Sequence, residues 1–261
     1  MIREAAKRLL YSPPLRALGG RVRPRAVVLL YHRVAEAASD PHGLAVSPAA
    51  FESHLDLLRR RFHVMPLPEL IGGLPRRAYR DCTVAVTFDD GYADNLTTAV
   101  PIAARLGVPV TVFVTAGPVL DGGPFPWDRG DATAGRPLNA YELRRLASVP
   151  GVSIGGHTVT HPRLADLPAA GQEWELTAGR QRLEEITGRP VDLLAYPFGK
   201  PDDVAPATPR LAERAGYRAA FLSQAGRIVP SSPRYALPRL SVHDWPAEML
   251  ARKLEEIFDP R

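Results

Sequence analysis

Residues 83–91 have the sequence Thr-Val-Ala-Val-Thr-Phe-Asp-Asp-Gly, an apolar run that ends in two adjacent carboxylates. Such a run predicts a buried strand, and side chains at the carboxyl end of a parallel strand face a shared crevice. Adjacent side chains of an extended chain point in different directions. Asp89 and Asp90 can therefore have different roles, one as a metal ligand and the other as a base. The simpler alternative is a charged strand end followed by a turn.

Short apolar runs alternate with helix-like stretches on both sides of this segment. Helices are predicted to begin at Ser47-Pro48, at Asn139 and at Pro246, and Gly188 is predicted to end another. Alternation of this kind predicts an α/β fold with a mainly parallel sheet or barrel. The predicted strands cover residues 26–31, 83–88, 108–114, 152–154, 192–196, 217–222 and 237–242. The helix capped by Asn139 is predicted over 141–148, and a further helix over 92–106.

Length and composition exclude several classes of protein. The chain has 261 residues, of which 45% are hydrophobic and 23% are charged, as is ordinary for one soluble domain. Its apolar runs are shorter than the ~18–20 residues of a membrane-spanning helix. Membrane-spanning, collagen-like and disordered classes are therefore excluded. Cys82 is the only cysteine, which excludes an intrachain disulfide and an all-cysteine metal site.

The positive charge is concentrated in a predicted N-terminal arm, residues 1–24, which precedes a single domain over residues 25–261. Residues 1–25 carry a net charge of +6 and the whole chain +5, so the remainder is nearly neutral. A nearly neutral domain argues against nucleic-acid binding. The arm has apolar residues at helical spacing but lacks the apolar core of a signal peptide. It is either a solvated helix or a peripheral attachment to an anionic membrane face.

The segment between Gly117 and Leu138 is predicted to be a long irregular loop, because nine of its 22 residues are glycine or proline. Long loops in compact domains are usually functional or disordered. Trp127 lies within this loop, where it either stacks on a sugar ring or anchors the loop.

Two histidines four residues apart follow another predicted strand, in the sequence Gly-Gly-His-Thr-Val-Thr-His-Pro over residues 155–162. If this turn is helical, His157 and His161 lie on one face and both can reach one cation. With a carboxylate they form a two-histidine, one-carboxylate set that leaves coordination positions free for water and substrate. A histidine pair on a loop is more often not a ligand. In combination with Asp89 and Asp90, it favours a divalent metal site.

Spacing excludes two other site classes with aspartates at a strand end. Phosphate-loop ATPases need the sequence G-x-x-x-x-G-K-[ST], which this chain lacks. Haloacid-dehalogenase-type phosphatases need aspartates two residues apart, but position 91 is glycine.

A third segment, Leu-Ala-Tyr-Pro-Phe-Gly over residues 194–199, also follows a predicted strand. Its proline–aromatic–glycine turn can present a backbone N–H to a developing oxyanion. Carboxylates, imidazoles and a backbone donor thus all lie at the ends of predicted strands.

These motifs resemble those of the NodB-type polysaccharide deacetylases, carbohydrate esterase family 4. Residues 87–91 match the family's T-F-D-D-G motif and residues 157–162 its H-[ST]-x-x-H-P motif. The resemblance implies a distorted (β/α) barrel of about seven strands in a single NodB-like domain. It also implies one divalent metal ion, usually zinc, bound by Asp90, His157 and His161, with Asp89 as the general base.

The family's R-x-P-Y motif corresponds here to Ala-Tyr-Pro-Phe, so its arginine is missing. The resemblance implies that the backbone N–H of Phe198 binds the oxyanion. Arg239 is the candidate to replace the missing arginine and orient Asp89. We also expect Tyr196, Trp127 and Arg239 to contact the substrate.

The general acid has two candidates. Most family members place a catalytic histidine near the C-terminus, after an apolar strand, and His243 occupies such a position. His32 follows the stronger apolar run, Val-Val-Leu-Leu-Tyr over residues 27–31. This arrangement resembles the circularly permuted branch typified by poly-N-acetylglucosamine deacetylases, in which this strand and its histidine move to the N-terminal end. We favour His32.

The sequence therefore predicts a metal-dependent hydrolase that removes N-acetyl groups from a sugar, a polysaccharide or a glycan precursor such as a lipid-linked sugar. The same fold with another substrate would be a deformylase, an O-acetyl esterase or another amide hydrolase. The non-enzymatic alternative is a degenerate carbohydrate-binding module. Without a recognisable signal peptide or transmembrane helix, a cytoplasmic location is expected, with peripheral contact at the inner face of the membrane through the arm.

Overall fold

The computed structural model describes residues 24–37, 40–129 and 135–259, so the predicted arm lies outside the described residues except for residue 24. Most of its strands form one eight-stranded sheet in which every strand pairing is parallel. The strands are β1 (Ala26–Tyr31), β2 (Arg33–Val34), β3 (Ala45–Val46), β4 (His63–Val64), β5 (Thr83–Phe88), β6 (Val110–Val114), β7 (Val152–Gly156), β8 (Leu193–Ala195), β9 (Ala219–Phe221) and β10 (Leu240–Ser241).

Seven strands of this sheet follow one another in the order β10-β1-β5-β6-β7-β8-β9, and β4 pairs with the start of β5. The segment before β10 pairs with β9, because the Leu222 N–H donates to Leu237 and the Leu237 N–H donates to Ala220. The chain then crosses to β1, where Leu240 aligns with Leu29. One segment thus links the two ends of the sheet. The prediction of a distorted (β/α) barrel of about seven strands in one domain is confirmed.

Helices connect the strands and contribute to apolar clusters on both sides of the sheet. None of the helices in the described part of the chain is long and apolar enough to cross a bilayer. The helices are α1 (Pro48–Arg61), α2 (Leu67–Gly73), α3 (Val100–Arg105), α4 (Ala116–Asp121), α5 (Ala140–Ser148), α6 (Ala169–Thr187), α7 (Thr208–Arg214) and α8 (Ala247–Phe258).

Alternate side chains of the strands fill two apolar clusters. Val27, Leu29 and Tyr31 of β1 join the larger cluster with the helices, whereas Ala26 and Val28 face the smaller one. All six residues of β1 and all six of β5 are buried. Both strands therefore lack a polar face, as expected for parallel strands that are covered on both sides.

Several elements differ from the prediction for local reasons. The strand predicted over 108–114 begins at Val110, since Pro109 has no N–H for the ladder. The helix predicted over 92–106 starts as a π-helix (Asn95–Ala99) before α3. Pro101 lacks the N–H that an α-helix would direct to the carbonyl of residue 97. The predicted loop over 117–138 contains α4 and a 3-10 turn (Pro126–Asp128).

Candidate functional site

Three of the predicted ligands meet where β5 and β7 end. One ligand atom each of Asp90, His157 and His161 lies within 4.8 Å of the others. The Nε2 atoms of His157 and His161 each lie 3.5 Å from Oδ1 of Asp90. The structure thus brings one carboxylate and two imidazoles to a single point.

Asp90 reaches this point because the chain turns sharply after β5. Asp90 and Gly91 both have left-handed backbone conformations, with φ of 71° and 87°. A Cβ on Gly91 would lie 3.0 Å from the side chain of Val114, so β6 packs closely against the turn. The Asp90 carbonyl accepts a hydrogen bond from the N–H of Thr115. These contacts keep the Asp90 side chain buried and directed at the histidines.

The two histidines converge without a helix, so the helical turn that we considered for this segment is wrong. Thr158 and His161 adopt left-handed conformations, with φ of 67° and 58°. The His161 N–H donates to the Thr158 hydroxyl at 3.1 Å. Nδ1 of His157 lies 2.8 Å from the Ala195 carbonyl, which can only accept. In the neutral imidazole that contact keeps the proton on Nδ1, so Nε2, which faces Asp90, can serve as a metal ligand.

The donor set fits a divalent cation. Burial raises the pKa of Asp90, but the neighbouring imidazoles, His157 first, outweigh burial and hold this pKa at about 2. Burial lowers the pKa of His161 to about 4, so its imidazole is neutral near pH 7. Nδ1 of His161 is buried without a hydrogen-bond partner among the described residues. One carboxylate and two imidazoles suit zinc and leave coordination positions for water and substrate.

Asp89 lies beside this cluster and pairs with Arg239. Two guanidinium nitrogens of Arg239 donate to the two carboxylate oxygens of Asp89, each at 2.7 Å. Burial raises the pKa of Asp89, but the charge of Arg239 outweighs it, with His157 adding to the effect, so the pKa lies below its ordinary value. Asp89 is thus a fixed, ionised carboxylate, and Oδ2 lies 4.0 Å from Nε2 of His157.

Arg239 is fully buried behind Asp89, so the predicted contact of Arg239 with substrate is wrong. Its Nε donates to the Leu222 carbonyl at 3.0 Å, and its guanidinium lies 5.3 Å from the centre of the Phe113 ring. The structure places Arg239 where the predicted role of orienting Asp89 requires it.

Replacement of Arg239 by Met is expected to lower the free energy of unfolding by about 3 kcal/mol, because it leaves Asp89 buried without its partner. Chemical denaturation measures this loss. As a control, Arg105→Met removes an exposed ion pair with Glu52 and should cost far less. Equal losses in the two variants would contradict the assignment of Arg239 as the charge partner of Asp89.

The two candidate acids differ in their surroundings. His32 directly follows β1, whose last residue, Tyr31, aligns with Phe88 of β5 and accepts a hydrogen bond from the Asp89 N–H, so His32 and Asp89 leave the sheet side by side. The Asn95 side chain donates to the His32 carbonyl at 2.9 Å. His243 is exposed, with Nδ1 3.1 Å from the Gly43 carbonyl. The structure thus brings His32, and not His243, to the carboxylates.

Two aromatic side chains flank His161. The Phe198 ring is 56% exposed and lies 5.0 Å from the His161 ring, and the Trp127 ring lies 4.5 Å from His161. Phe198 has a left-handed backbone with φ of 60°, and no described residue accepts a hydrogen bond from its N–H. Tyr196 is buried instead, and its hydroxyl donates to the Tyr235 carbonyl at 3.0 Å. The predicted contact of Tyr196 with substrate is therefore wrong.

Trp127 is held in place by its own neighbours. Its indole N–H donates to the Tyr92 hydroxyl at 2.8 Å, and that hydroxyl donates to Asp128 at 2.7 Å. The indole also stacks on Phe125, with ring centres 4.9 Å apart and planes 6° apart. Trp127 therefore anchors its loop, and one part of its ring remains against His161.

Comparison with known proteins identifies the family of this chain. Residues 76–220 match the family described as polysaccharide deacetylase. The chain belongs to the polysaccharide deacetylase family. It is also similar to the "Putative polysaccharide deacetylase YxkH" of Bacillus subtilis (strain 168), with 24% identity over 218 residues. That match covers 82% of this chain and 70% of the relative.

Two solved structures share the fold of this polysaccharide deacetylase. The Streptococcus pyogenes deacetylase PplD, solved in complex with acetate, has a TM-score of 0.75 at 21% identity, over 90% of this chain and 100% of the other. IcaB from Ammonifex degensii has a TM-score of 0.75 at 23% identity, over 89% and 97% of the two chains. The resemblance of the sequence to the polysaccharide deacetylases is confirmed.

Sequence reasoning missed several polar residues around the site of this deacetylase. Asn95 holds the His32 backbone, Tyr92 holds Trp127, and Glu175 binds the loop between the two histidines. A polar residue inside a predicted helix normally faces water, so nothing in the local pattern distinguished Asn95 or Glu175. Tyr92 directly follows the Asp-Asp-Gly segment, which was the only available signal.

Proposed function

We propose that this chain is a metal-dependent hydrolase that removes N-acetyl groups from a sugar, a polysaccharide or a glycan precursor. One observation carries the proposal. A buried carboxylate held by Arg239 lies beside a separate cluster of Asp90, His157 and His161. Amide hydrolysis needs a base, an electrophile and an acid at one point. Asp89 can serve as the base, and Asp90 can bind the cation that acts as the electrophile.

The site would hold one divalent cation, with zinc as the proposed metal, through Asp90, His157 and His161. When bound, the cation would polarise the acetyl carbonyl and lower the pKa of a water molecule toward neutrality. The role of the chain is to set the position of the ligands. The Ala195 carbonyl orients His157, and the turn at Gly91 orients Asp90.

Asp89 is the proposed general base. Its carboxylate accepts the proton of the attacking water, and Arg239 keeps it in one orientation through two hydrogen bonds. A low pKa keeps this carboxylate ionised and ready to accept a proton. Asp89 does not need to leave its position, because Asp90 serves the cation separately.

The Phe198 N–H is the proposed donor to the oxyanion. Phe198 lies beyond the end of β8 in a left-handed conformation, and no described residue accepts a hydrogen bond from its N–H. A fixed backbone donor stabilises charge that develops during the reaction without any reorganisation. The rings of Phe198 and Trp127 on either side of His161 form apolar walls for a sugar.

His32 is the proposed general acid, which gives a proton to the leaving amine. An amine leaves as a neutral group only if it is protonated, and a positioned histidine typically contributes 10²–10⁴-fold. We therefore expect His32→Ala to lower kcat about 10²-fold, whereas His243→Ala should stay near the wild type. Steady-state rates on one N-acetylated oligosaccharide compare the two variants. A larger loss in His243→Ala would reverse the assignment.

The reaction itself is tested by its two products. The zinc-reconstituted protein should release acetate from N-acetylated oligosaccharides and generate one free amine for each acetate. Acetate without a free amine, from O-acetylated glycans, would indicate an esterase. Tight glycan binding with no acetate released would indicate a carbohydrate-binding module.

The proposal extends to lipid-linked sugars handled at the inner face of the membrane. The feature that supports this extension is the net charge of +6 within residues 1–25. Basic segments of this kind are attracted to anionic lipid surfaces.

A further inference from the structure

Glu175 is a buried carboxylate that the proposed reaction does not use. It lies on α6 and is 4% exposed. Among the described residues, no arginine, lysine or histidine forms an ion pair with Glu175. A buried carboxylate without a cation is costly unless hydrogen bonds satisfy it. The donors that satisfy Glu175 all come from the loop between the two histidines.

Glu175 accepts three hydrogen bonds from two consecutive residues. Oε2 accepts from the N–H groups of Val159 and Thr160, at 2.7 Å and 3.0 Å. Oε1 accepts from the Thr160 hydroxyl at 2.6 Å. Hydrogen bonds to an ionised acceptor are stronger than those between neutral groups. The Glu175 side chain thus fixes Val159 and Thr160 in the loop over residues 157–161, which we call the histidine loop.

This loop needs support from outside, because its backbone is strained at both ends. Thr158 and His161 have left-handed conformations, which residues with a side chain adopt only when surrounding contacts impose them. On the opposite side, the N–H of Gly117 donates to the Val159 carbonyl at 2.8 Å. Glu175 and the backbone at Gly117 therefore hold the loop from two directions.

The close contacts around the loop leave little room for adjustment. A Cβ on Gly117 would lie 2.6 Å from the Val159 carbonyl oxygen. A Cβ on Gly179, one turn beyond Glu175 on α6, would lie 3.0 Å from the Thr158 carbonyl carbon. The start of α4 and the middle of α6 thus approach the loop between His157 and His161 closely enough to leave no room for a side chain at Gly117 or Gly179.

We infer that Glu175 is a positioning residue for the metal site: it holds the loop that sets the distance between His157 and His161 before any cation binds. This inference rests on the proposed metal site. Glu175 lies outside the cluster of Asp90, His157 and His161, so its effect on the cation would pass through the two imidazoles. Residues that orient metal ligands indirectly typically change metal affinity 10–100-fold.

The test is the zinc affinity of the full chain, measured by competition with a colorimetric chelator. Glu175→Ala is expected to weaken zinc binding at least about tenfold. The matched control is Gln172→Ala, which removes another buried polar residue of the same helix. Gln172 bonds Leu167 and Thr208, away from the histidine loop. Its zinc affinity should stay near the wild type, although both metal-free variants melt at lower temperatures.

Two milder variants keep the test decisive if Glu175→Ala does not fold. Glu175→Gln retains an oxygen for the two N–H groups and should lose less zinc affinity than Glu175→Ala. Thr160→Val changes an exposed residue and removes the hydroxyl that donates to Oε1, so it should weaken zinc binding in the same direction.

The outcomes separate this inference from the proposed function. Normal zinc binding by the wild type with unchanged affinity in the Glu175 and Thr160 variants would overturn the role of Glu175 alone. An equal loss of affinity in Gln172→Ala would show a general effect of destabilisation and would also overturn it. If the wild type does not bind zinc, the proposal of a metal site is wrong, and so is the positioning role of Glu175.

Discussion

Replacement of Asp89 by Asn is expected to lower kcat by about 10³-fold while the protein still binds metal. An amide cannot take the proton of the attacking water, and it offers Arg239 one acceptor oxygen in place of two. The ligand cluster of Asp90, His157 and His161 keeps all its donor atoms. The expected result is therefore a loss of turnover that is separate from any loss of metal. Acetate release and elemental analysis of the same preparation measure both.

The matched control lies at the opposite end of the same strand. Asp81 precedes β5 and pairs with Arg25 through both carboxylate oxygens, as Asp89 pairs with Arg239 after β5. Asp81→Asn removes a comparable ion pair without approaching the site, so its turnover should stay close to that of the wild type. If Asp89→Asn retained turnover, Asp89 would not be the base. If it lost metal as well, Asp89 would be a ligand.

The parts of the fold that the sequence predicted best are those fixed by neighbouring residues. The bounds predicted for β1 and β5 match the structure, because each is an uninterrupted apolar run that is buried on both faces. Asn139 caps α5 through a capping box with Glu142, and Ser47 caps α1. These signals are local, since a cap and its partner lie within three residues.

Contacts between distant residues could not be predicted in the same way. Arg239 lies 150 residues from Asp89, and its position depends on how the segment before β10 crosses from β9 to β1. A missing arginine in one motif indicated that a partner was needed, but not where it would come from. Glu175 was missed because a glutamate in a helix usually faces water.

The sequence also predicted that the site residues lie close together, and this prediction rested on the arrangement of the strands. Asp90 and His157 follow β5 and β7, and parallel strands bring their carboxyl ends to one edge of the sheet. That argument needs only the order of strands. The conformation of the loop after β7 needs more, because the two left-handed residues depend on contacts with α6 and with Gly117. The helical turn considered there as one way to bring the two histidines together is not the conformation that the loop adopts.

Removal of the His157 imidazole is expected to weaken metal binding at least about 10²-fold. Structural zinc sites with four protein ligands bind with about 10–16 kcal/mol, so one ligand accounts for a few kcal/mol, on the order of 10²-fold in affinity. His157 has an additional role, because the Ala195 carbonyl fixes its orientation in advance. We expect about one zinc ion per chain in the wild type after reconstitution and almost none in His157→Ala.

A second buried histidine provides the control for this measurement. His54 is as buried as His157, but it bonds the Tyr31 hydroxyl and the Trp245 carbonyl, outside the cluster. His54→Ala should therefore lose stability and keep its metal. Metal retained by His157→Ala would show that the metal does not bind at the ends of β5 and β7. Metal lost in both variants would show that destabilisation of the fold, and not removal of a ligand, causes the loss. Only loss confined to His157→Ala fits an ion held by Asp90, His157 and His161.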